Sequence, residues 1–375
     1  MSTMNQLALL PRSKIDGAYR LGELFAGAGG MAYGAHLAEA DGHKFHHVWV
    51  TDMDKDACKT LEENVPVDKV ICSKVEALDF DDLPMIDGLV FGFPCNDFSA
   101  VGERNGINGK YGGLYQWGVK GLKTLRPSFF VAENVGGLAS NGLDVVLSAM
   151  CSAGYDLWPH TYRFEQYGVP QARHRIIIVG FRKDLNVLHF EHPSPTTADQ
   201  PITCEQALAQ IPRDAPNNER TKQSERVIER LKHIKPGENA FTANLPDHLQ
   251  LKMKSGAKIS QIYKRLVPDK PSYTVTGSGG GGTHLYHWDE PRALTNRERA
   301  RLQSFPDDFV FKGGKESVRK QIGMAVPPIG AREIFSALLR SLIDNGVDAY
   351  DNERRIFTCT DGTRVAVREY SLANC

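Results

Sequence analysis

The stretch Leu24-Phe25-Ala26-Gly27-Ala28-Gly29-Gly30 decides how the chain is built. An apolar run at 19–25 leads into it and a helical pattern at 31–40 leaves it, so it reads as strand, glycine loop and helix N-terminus in succession. Glycines in such a loop let a ligand come close to backbone amides. Outward from it, apolar runs at 47–52, 87–93, 128–133, 156–164 and 175–181 alternate with helical patterns at 54–64, 114–125 and 143–153. This alternation predicts an α/β fold, a doubly wound, Rossmann-like parallel sheet with helices on both faces.

From about residue 183 the pattern breaks. Nine prolines between 193 and 271 and the glycine run 279–282 predict a smaller, loop-rich domain. Helical periodicity returns at 295–305 and at 331–343, where Ile334, Phe335, Leu338, Leu339, Leu342 and Ile343 form one stripe that needs a partner. The polar tail alternates at 354–358 and 363–367, which predicts a terminal β-hairpin. The expected division is 1–182, 183–290, 291–345 and 346–375.

With 375 residues, 41% of them hydrophobic, the chain can bury a large core, and intrinsic disorder as its main state is excluded. No window approaches the roughly 20 apolar residues of a membrane span, and the start is too polar for a secretory signal, so a soluble, intracellular protein is expected. Seven scattered cysteines without a Cys-x-x-Cys pair argue against a disulfide framework or a zinc module. Any special cysteine is therefore special as a thiol. The net charge of zero hides an asymmetry: residues 1–100 hold 8 Lys/Arg against 16 Asp/Glu, whereas 213–270 hold 13 against 7. A basic block after an acidic one suits a later part that meets a polyanion, although lysines on solvated faces give the same numbers.

Several features carry chemistry. Asp52, followed by Met53, ends the second strand, where an acidic residue for ribose hydroxyls belongs in a nucleotide-binding sheet. Gly27, Gly29 and Ala32 also satisfy a dinucleotide fingerprint, so NAD and S-adenosylmethionine are both open on the loop alone. The strand 89–93 runs into Pro94-Cys95-Asn96-Asp97-Phe98-Ser99, placing a thiol at the C-terminal sheet edge, where such folds hold their active sites; a small buried thiol is the bland alternative. A second strand brings Glu133-Asn134-Val135 to the same edge. A third brings Gln171-Ala172-Arg173-His174-Arg175, with both arginines expected on one side. The histidine pairs His284/His287 and His189/His192 lack a matching cysteine or carboxylate set, so no metal is expected.

In this order the blocks resemble the cytosine carbon-5 DNA methyltransferases. The resemblance runs through Phe25 to Gly30, Pro94-Cys95, Glu133-Asn134-Val135, Gln171-x-Arg173-x-Arg175, Arg292-x-Leu294-Thr295-x-x-Glu298 with Leu302 to Pro306, and Gln321-Ile322-Gly323 with Val326-Pro327, about residues 20 to 340. It implies S-adenosylmethionine as cofactor, held by Phe25, Ala26, Gly27, Gly29, Gly30, Asp52, Met53, Pro94, Leu114, Gly323, Ala325 and Val326. It implies a flipped cytosine attacked at carbon 6 by Cys95, with Glu133 donating a proton to ring nitrogen 3. Arg175 and Arg173 would hold the ring's carbonyl oxygen or the cysteine loop. The segment 183–290 would be the target-recognition domain, with Asn96, Ser99, Arg265, Thr274, Val275 and Gly277 at the DNA, and Arg292, Arg297, Arg299 and Arg301 as further phosphate or guanine contacts. The last motif would return to the first strand, giving the stripe at 331–343 its partner.

Three departures stand out. Asn96 replaces the usual glutamine, Met324 replaces the usual asparagine, and 73–76 lacks the aspartate that meets the adenine. The implied setting is a monomer acting on double-stranded DNA in the bacterial cytoplasm, as the modification half of a restriction-modification pair with a separate endonuclease. The rivals are a transfer-RNA methyltransferase of the same fold, a non-catalytic DNA-binding relative, and an NAD oxidoreductase for the glycine loop alone.

Overall fold

The computed structural model describes residues 18–93, 113–135, 142–251, 260–277, 282–347, 354–358 and 364–368. The chain runs β1 (Ala18–Leu24), α1 (Gly30–Leu37), β2 (Glu39–Ala40), β3 (His43–Asp52), α2 (Lys55–Asn64), β4 (Val70–Cys72), β5 (Gly88–Gly92), α3 (Tyr115–Leu125), β6 (Phe129–Val135), α4 (Leu143–Ser152), β7 (Tyr155–Arg163), β8 (Gln171–Ala172) and β9 (His174–Arg182). The sheet order is β2-β3-β1-β5-β6-β9-β7, with β4 also on β3. Strand order reverses between β1 and β5, so the C-terminal ends of these two strands flank one crevice, the place where open α/β sheets hold ligands.

The α/β fold expected from the alternation is present, but the sheet is mixed. Strands β1, β3, β4, β5 and β6 run parallel, and β9 lies antiparallel between β6 and β7. The connection 164–173 is shorter than the dozen or more residues that a parallel crossover needs, so β9 returns as a hairpin. A second correction concerns 38–46. Asp41 (φ 47°) and Gly42 (φ 77°) both adopt left-handed backbone and turn β2 onto β3, so the helix stops at Leu37 and β3 begins at His43.

Each sheet face buries its own core. On one face Tyr19, Leu21, Val131, Ile177 and Val179 meet α1 and α9 (Pro328–Asp344). On the other, Leu89, Phe91, Phe130, Ile176 and Ile178 meet α3 and α4. The stripe on α9 finds the expected partner: Ile334, Phe335, Leu338, Leu339 and Leu342 are all buried against the first face, and each large side chain contributes about 1.5–3 kcal/mol. Glycines make the contact with α1 close. A Cβ on Gly34 would lie 2.4 Å from the Ala331 Cβ, and one on Gly30 would lie 2.2 Å from the Val326 carbonyl oxygen. The helical stretch Lys315–Asp344 contains an 18-residue apolar window, 72% of which is buried inside the protein.

The remaining elements are α5 (Cys204–Leu208), α6 (Glu225–Lys232), β10 (Ser272–Tyr273), α7 (Asn296–Leu302) and α8 (Lys315–Met324), followed by the antiparallel pair β11 (Arg354–Thr358) and β12 (Arg364–Arg368), the hairpin expected at the tail. Leu231, Ile234, Leu245, Leu249, Ile262, Tyr263 and Tyr286 form a small separate core. The Leu294-Thr295-x-x-Glu298 motif is a capping box: the Thr295 hydroxyl accepts from the Glu298 amide, and the Glu298 carboxylate accepts from the Thr295 amide. It starts α7, which packs against α8 through Ala300, Leu302, Val318 and Ile322.

Candidate active site

The glycine loop turns through three left-handed residues, Phe25 (φ 57°), Gly27 (φ 56°) and Gly29 (φ 85°), and delivers the chain into α1. Its Gly27 amide donates to Asp52 Oδ2 at 2.8 Å, while the Asp54 amide donates to Asp52 Oδ1 at 2.8 Å. Burial pushes the Asp52 carboxyl above its ordinary range, and these two amides pull it back toward the charged form. Met53 beside it is 70% exposed. From the far end of the chain, Ala325 and Val326 come against Gly30, so sequence-distant parts of the expected cofactor site share one wall. Phe25 and Leu114 pack, half-buried, on the same core cluster. The donor set fits S-adenosylmethionine: a carboxylate suited to ribose hydroxyls, amides at a helix N-terminus suited to a carboxylate, and an exposed thioether suited to a flat ring.

At the sheet edge beside this crevice, Glu133 and Arg175 meet. They sit diagonally on adjacent antiparallel strands, where Val135 faces Arg175 and Glu133 faces Ile177, and Arg175 Nε donates to Glu133 Oε1 at 2.9 Å. Burial raises the Glu133 pKa above the usual carboxylate range, and the guanidinium groups of Arg175 and Arg173 oppose the rise. Gly92 keeps space over the acid, since a Cβ there would lie 3.2 Å from Glu133 Oε2. The next residue, Asn134, is buried and donates from Nδ2 to the Phe93 carbonyl at 3.0 Å, fastening the end of β5 to the end of β6. Pro94, Cys95, Asn96 and Ser99 lie outside the described residues. The chain enters that segment from Phe93, at the edge where Glu133 sits.

The sequence profile of C-5 cytosine-specific DNA methylases matches residues 19–340. The chain belongs to that family. Among curated relatives of this methylase, the Type II methyltransferase M.BbvI of Brevibacillus brevis is 52% identical over 343 residues, which is 86% of this chain and 91% of the relative. M.NgoFVII of Neisseria gonorrhoeae is 39% identical over 335 residues, 86% of this chain and 87% of the relative. Among solved structures, a prophage-encoded DNA modification methyltransferase of E. coli shares the fold at a TM-score of 0.67 and 24% identity, covering 87% of this chain and 99% of that one. S. pombe Dnmt2 shares it at 0.55 and 16%, with the same coverage. Membership settles the choice left open by the glycine loop in favour of S-adenosylmethionine over NAD.

Elsewhere in the methylase the structure corrects the sequence reading. Arg173 and Arg175 do not stand at alternate positions of one continuous strand. The strand breaks at Arg173, because Gln171 and Ala172 pair with β10 while β9 begins at His174. Arg173 turns inward, 2% exposed, and donates to the carbonyls of Val275 (3.1 Å) and Gly323 (3.2 Å). Val275 is fully buried and offers no side chain to a groove. Thr274 directs its hydroxyl to the Ala172 carbonyl at 2.8 Å, and Gly277 lies against Lys320 of α8.

The arginines expected at DNA have partners inside the protein. Arg265 is 5% exposed and donates to the carbonyls of His287, Leu231, Ile234 and Glu290. Arg292 grips Glu298 and Glu290, Arg297 donates to the carbonyls of Pro216, Pro306 and Phe309, and Arg301 pairs with Asp307. Arg299 is 1% exposed beside His284, and burial with the nearby Arg319 charge lowers its pKa to about 10. Loop segments bury few apolar groups, so guanidinium groups satisfy their carbonyls instead. Asn134, Gln171 and Gln303 also have parts in the site that the sequence alone does not announce. Their signal is that each stands inside one of the ordered blocks.

Proposed function

We propose that this DNA cytosine-5 methyltransferase acts on a cytosine rotated out of a specific double-stranded site, with Cys95 as nucleophile, Glu133 as proton donor and Arg175 as the group that orients it. The observation that carries the reading is a largely enclosed carboxyl of raised pKa, its side chain 14% exposed and held on one oxygen by Arg175 at 2.9 Å, at the sheet edge where the chain departs for Cys95. Carbon 5 of cytosine is a poor nucleophile in an aromatic ring. Addition of the Cys95 thiolate to carbon 6, with a proton passing from Glu133 to nitrogen 3, converts carbon 5 into an enamine carbon. S-adenosylmethionine supplies an electrophilic methyl when bound. Loss of the carbon-5 proton to a base then expels the thiolate, restores the 5,6 double bond and returns the nitrogen-3 proton to Glu133.

Phe25 to Gly30, Asp52, Met53, Pro94, Leu114, Gly323, Ala325 and Val326 hold the cofactor in this reading, and Asn96, Ser99 and the Thr274–Gly277 backbone face the DNA. Arg173 acts by positioning. The division into catalytic residues 1–182 and 291–345, a recognition part at 183–290 and an extension at 346–375 belongs to the same proposal, as do a monomeric enzyme, the bacterial cytoplasm, and a restriction-modification pairing with a separate endonuclease. The Type II relatives support the last of these by name. Expression in a methylation-free host followed by base-resolution mapping tests the reading. The expected result is 5-methylcytosine confined to one short duplex motif; a host genome left unmodified, with methyl groups found only in RNA, refutes it.

A further inference from the structure

Two fully buried glutamines join the segment 272–277 to the turn 323–326. Gln171 accepts the Val275 amide at 2.8 Å on Oε1, and its Nε2 donates to the Leu302 carbonyl at 3.0 Å and to Gln303 Oε1 at 2.7 Å. Gln303 in turn donates from Nε2 to the carbonyls of Ile322 (2.6 Å) and Ala325 (3.1 Å). Both amides are therefore engaged through oxygen and nitrogen alike, so loss of one partner leaves a buried polar group unpaired. Arg173 repeats the link from the other side, bridging the carbonyls of Val275 and Gly323. The backbones touch as well: a Cβ on Gly323 would lie 2.0 Å from the Gly277 amide nitrogen.

We infer that Gln303, acting with Gln171, is a positioning residue that couples the recognition segment to the cofactor turn, so that occupancy of one site sets the geometry of the other. The inference rests on the proposed placement of cofactor at Gly323–Val326 and DNA at Thr274–Gly277. Val275 cannot shift relative to Ala325 without breaking a hydrogen bond in the chain Val275–Gln171–Gln303–Ala325. A turn held by the cofactor thus holds the segment that meets DNA, and linkage makes the effect reciprocal. Simple interdomain glue would stabilise the fold and leave the two affinities independent.

Hydrogen exchange on the wild-type protein, with S-adenosylhomocysteine as probe and no DNA present, tests this without any substitution. The expected result is slowed exchange at 323–326 and also at 272–277, where the Val275 amide reports directly. Calorimetry supplies the second arm: the target duplex should tighten S-adenosylhomocysteine binding by about 5–150-fold in the wild type. Gln303→Met, which keeps length and loses every side-chain hydrogen bond, should abolish that factor. Gln303→Glu, which keeps the acceptor for Gln171 but loses the donors to the turn, should abolish it too. Protection confined to 323–326, or an unchanged factor in Gln303→Met, overturns the coupling while leaving the methyltransferase reading intact. Failure of S-adenosylhomocysteine to bind at all removes the cofactor reading and the coupling with it.

Discussion

Arg175 Nε lies 2.9 Å from Glu133 Oε1 across the β6–β9 ladder, so the largely enclosed acid has a fixed orientation and one oxygen held by a permanent cation. The charge favours the ionised acid, burial favours the protonated one, and burial is the larger effect. A carboxyl in that balance keeps its proton to higher pH than an ordinary glutamate. Glu133→Gln preserves the shape and the Arg175 contact but has no proton to transfer, so single-turnover methyl transfer should slow by about 10²–10⁴-fold with duplex affinity unchanged. A variant within a few-fold of wild type would show that Glu133 is not the donor.

The same balance gives the pH dependence its sign. Proton donation requires the neutral acid, which is present below the raised pKa and lost as pH climbs through it, so an alkaline decline in the rate belongs to Glu133. Arg175→Met removes a cation that lowers this pKa, so the decline should move to higher pH even as the rate falls. A decline that stays in place, or moves to lower pH, would contradict the pairing.

Much of this site is legible in the residues. The β-branched and aromatic runs at 128–133 and 175–181 place Glu133 and Arg175 at strand ends, and residue alternation then limits which side chains can meet. Strand direction is not in the pattern, since periodicity is the same for parallel and antiparallel strands; only the short connection after Arg163 announces the reversal at β9. Asp41-Gly42 is a strong hairpin signal that the helical pattern before it obscured. The partners of Arg265 and Arg297 were illegible for a different reason. A guanidinium that satisfies loop carbonyls has the same sequence appearance as one that waits for phosphate, and the choice depends on tertiary contacts.

Arg265 offers a direct test of that correction. Loss of a buried guanidinium that serves four carbonyls should cost about 3 kcal/mol or more, so Arg265→Met should unfold at clearly lower denaturant. In the folded variant the slope of log affinity for DNA against log salt should remain that of the wild type. A slope shallower by about 0.9, with stability unchanged, would identify a phosphate contact instead.

The α1–α9 contact sets two effects against each other at Gly34. In a free helix interior, Gly34→Ala would gain up to about 1 kcal/mol from backbone entropy. Here the added Cβ meets the Ala331 Cβ at 2.4 Å and the Pro328 carbonyl oxygen at 2.7 Å, an overpacking worth about 1–3 kcal/mol. Denaturant titration should find the variant less stable than the wild type. A stabilised Gly34→Ala would mean that the two helices sit farther apart than the structure has them.

The proposed reaction turns on a transient bond from the Cys95 sulfur to carbon 6 of the target cytosine, and trapping that bond is the most direct measurement. Fluorine at carbon 5 cannot depart as the proton does, so a target duplex carrying 5-fluorocytosine, incubated with enzyme and S-adenosylmethionine, should leave an adduct that survives denaturing electrophoresis. Wild type should form it and Cys95→Ala should not. A wild type that methylates the ordinary duplex yet never traps, or a Cys95→Ala variant that does, would contradict the account.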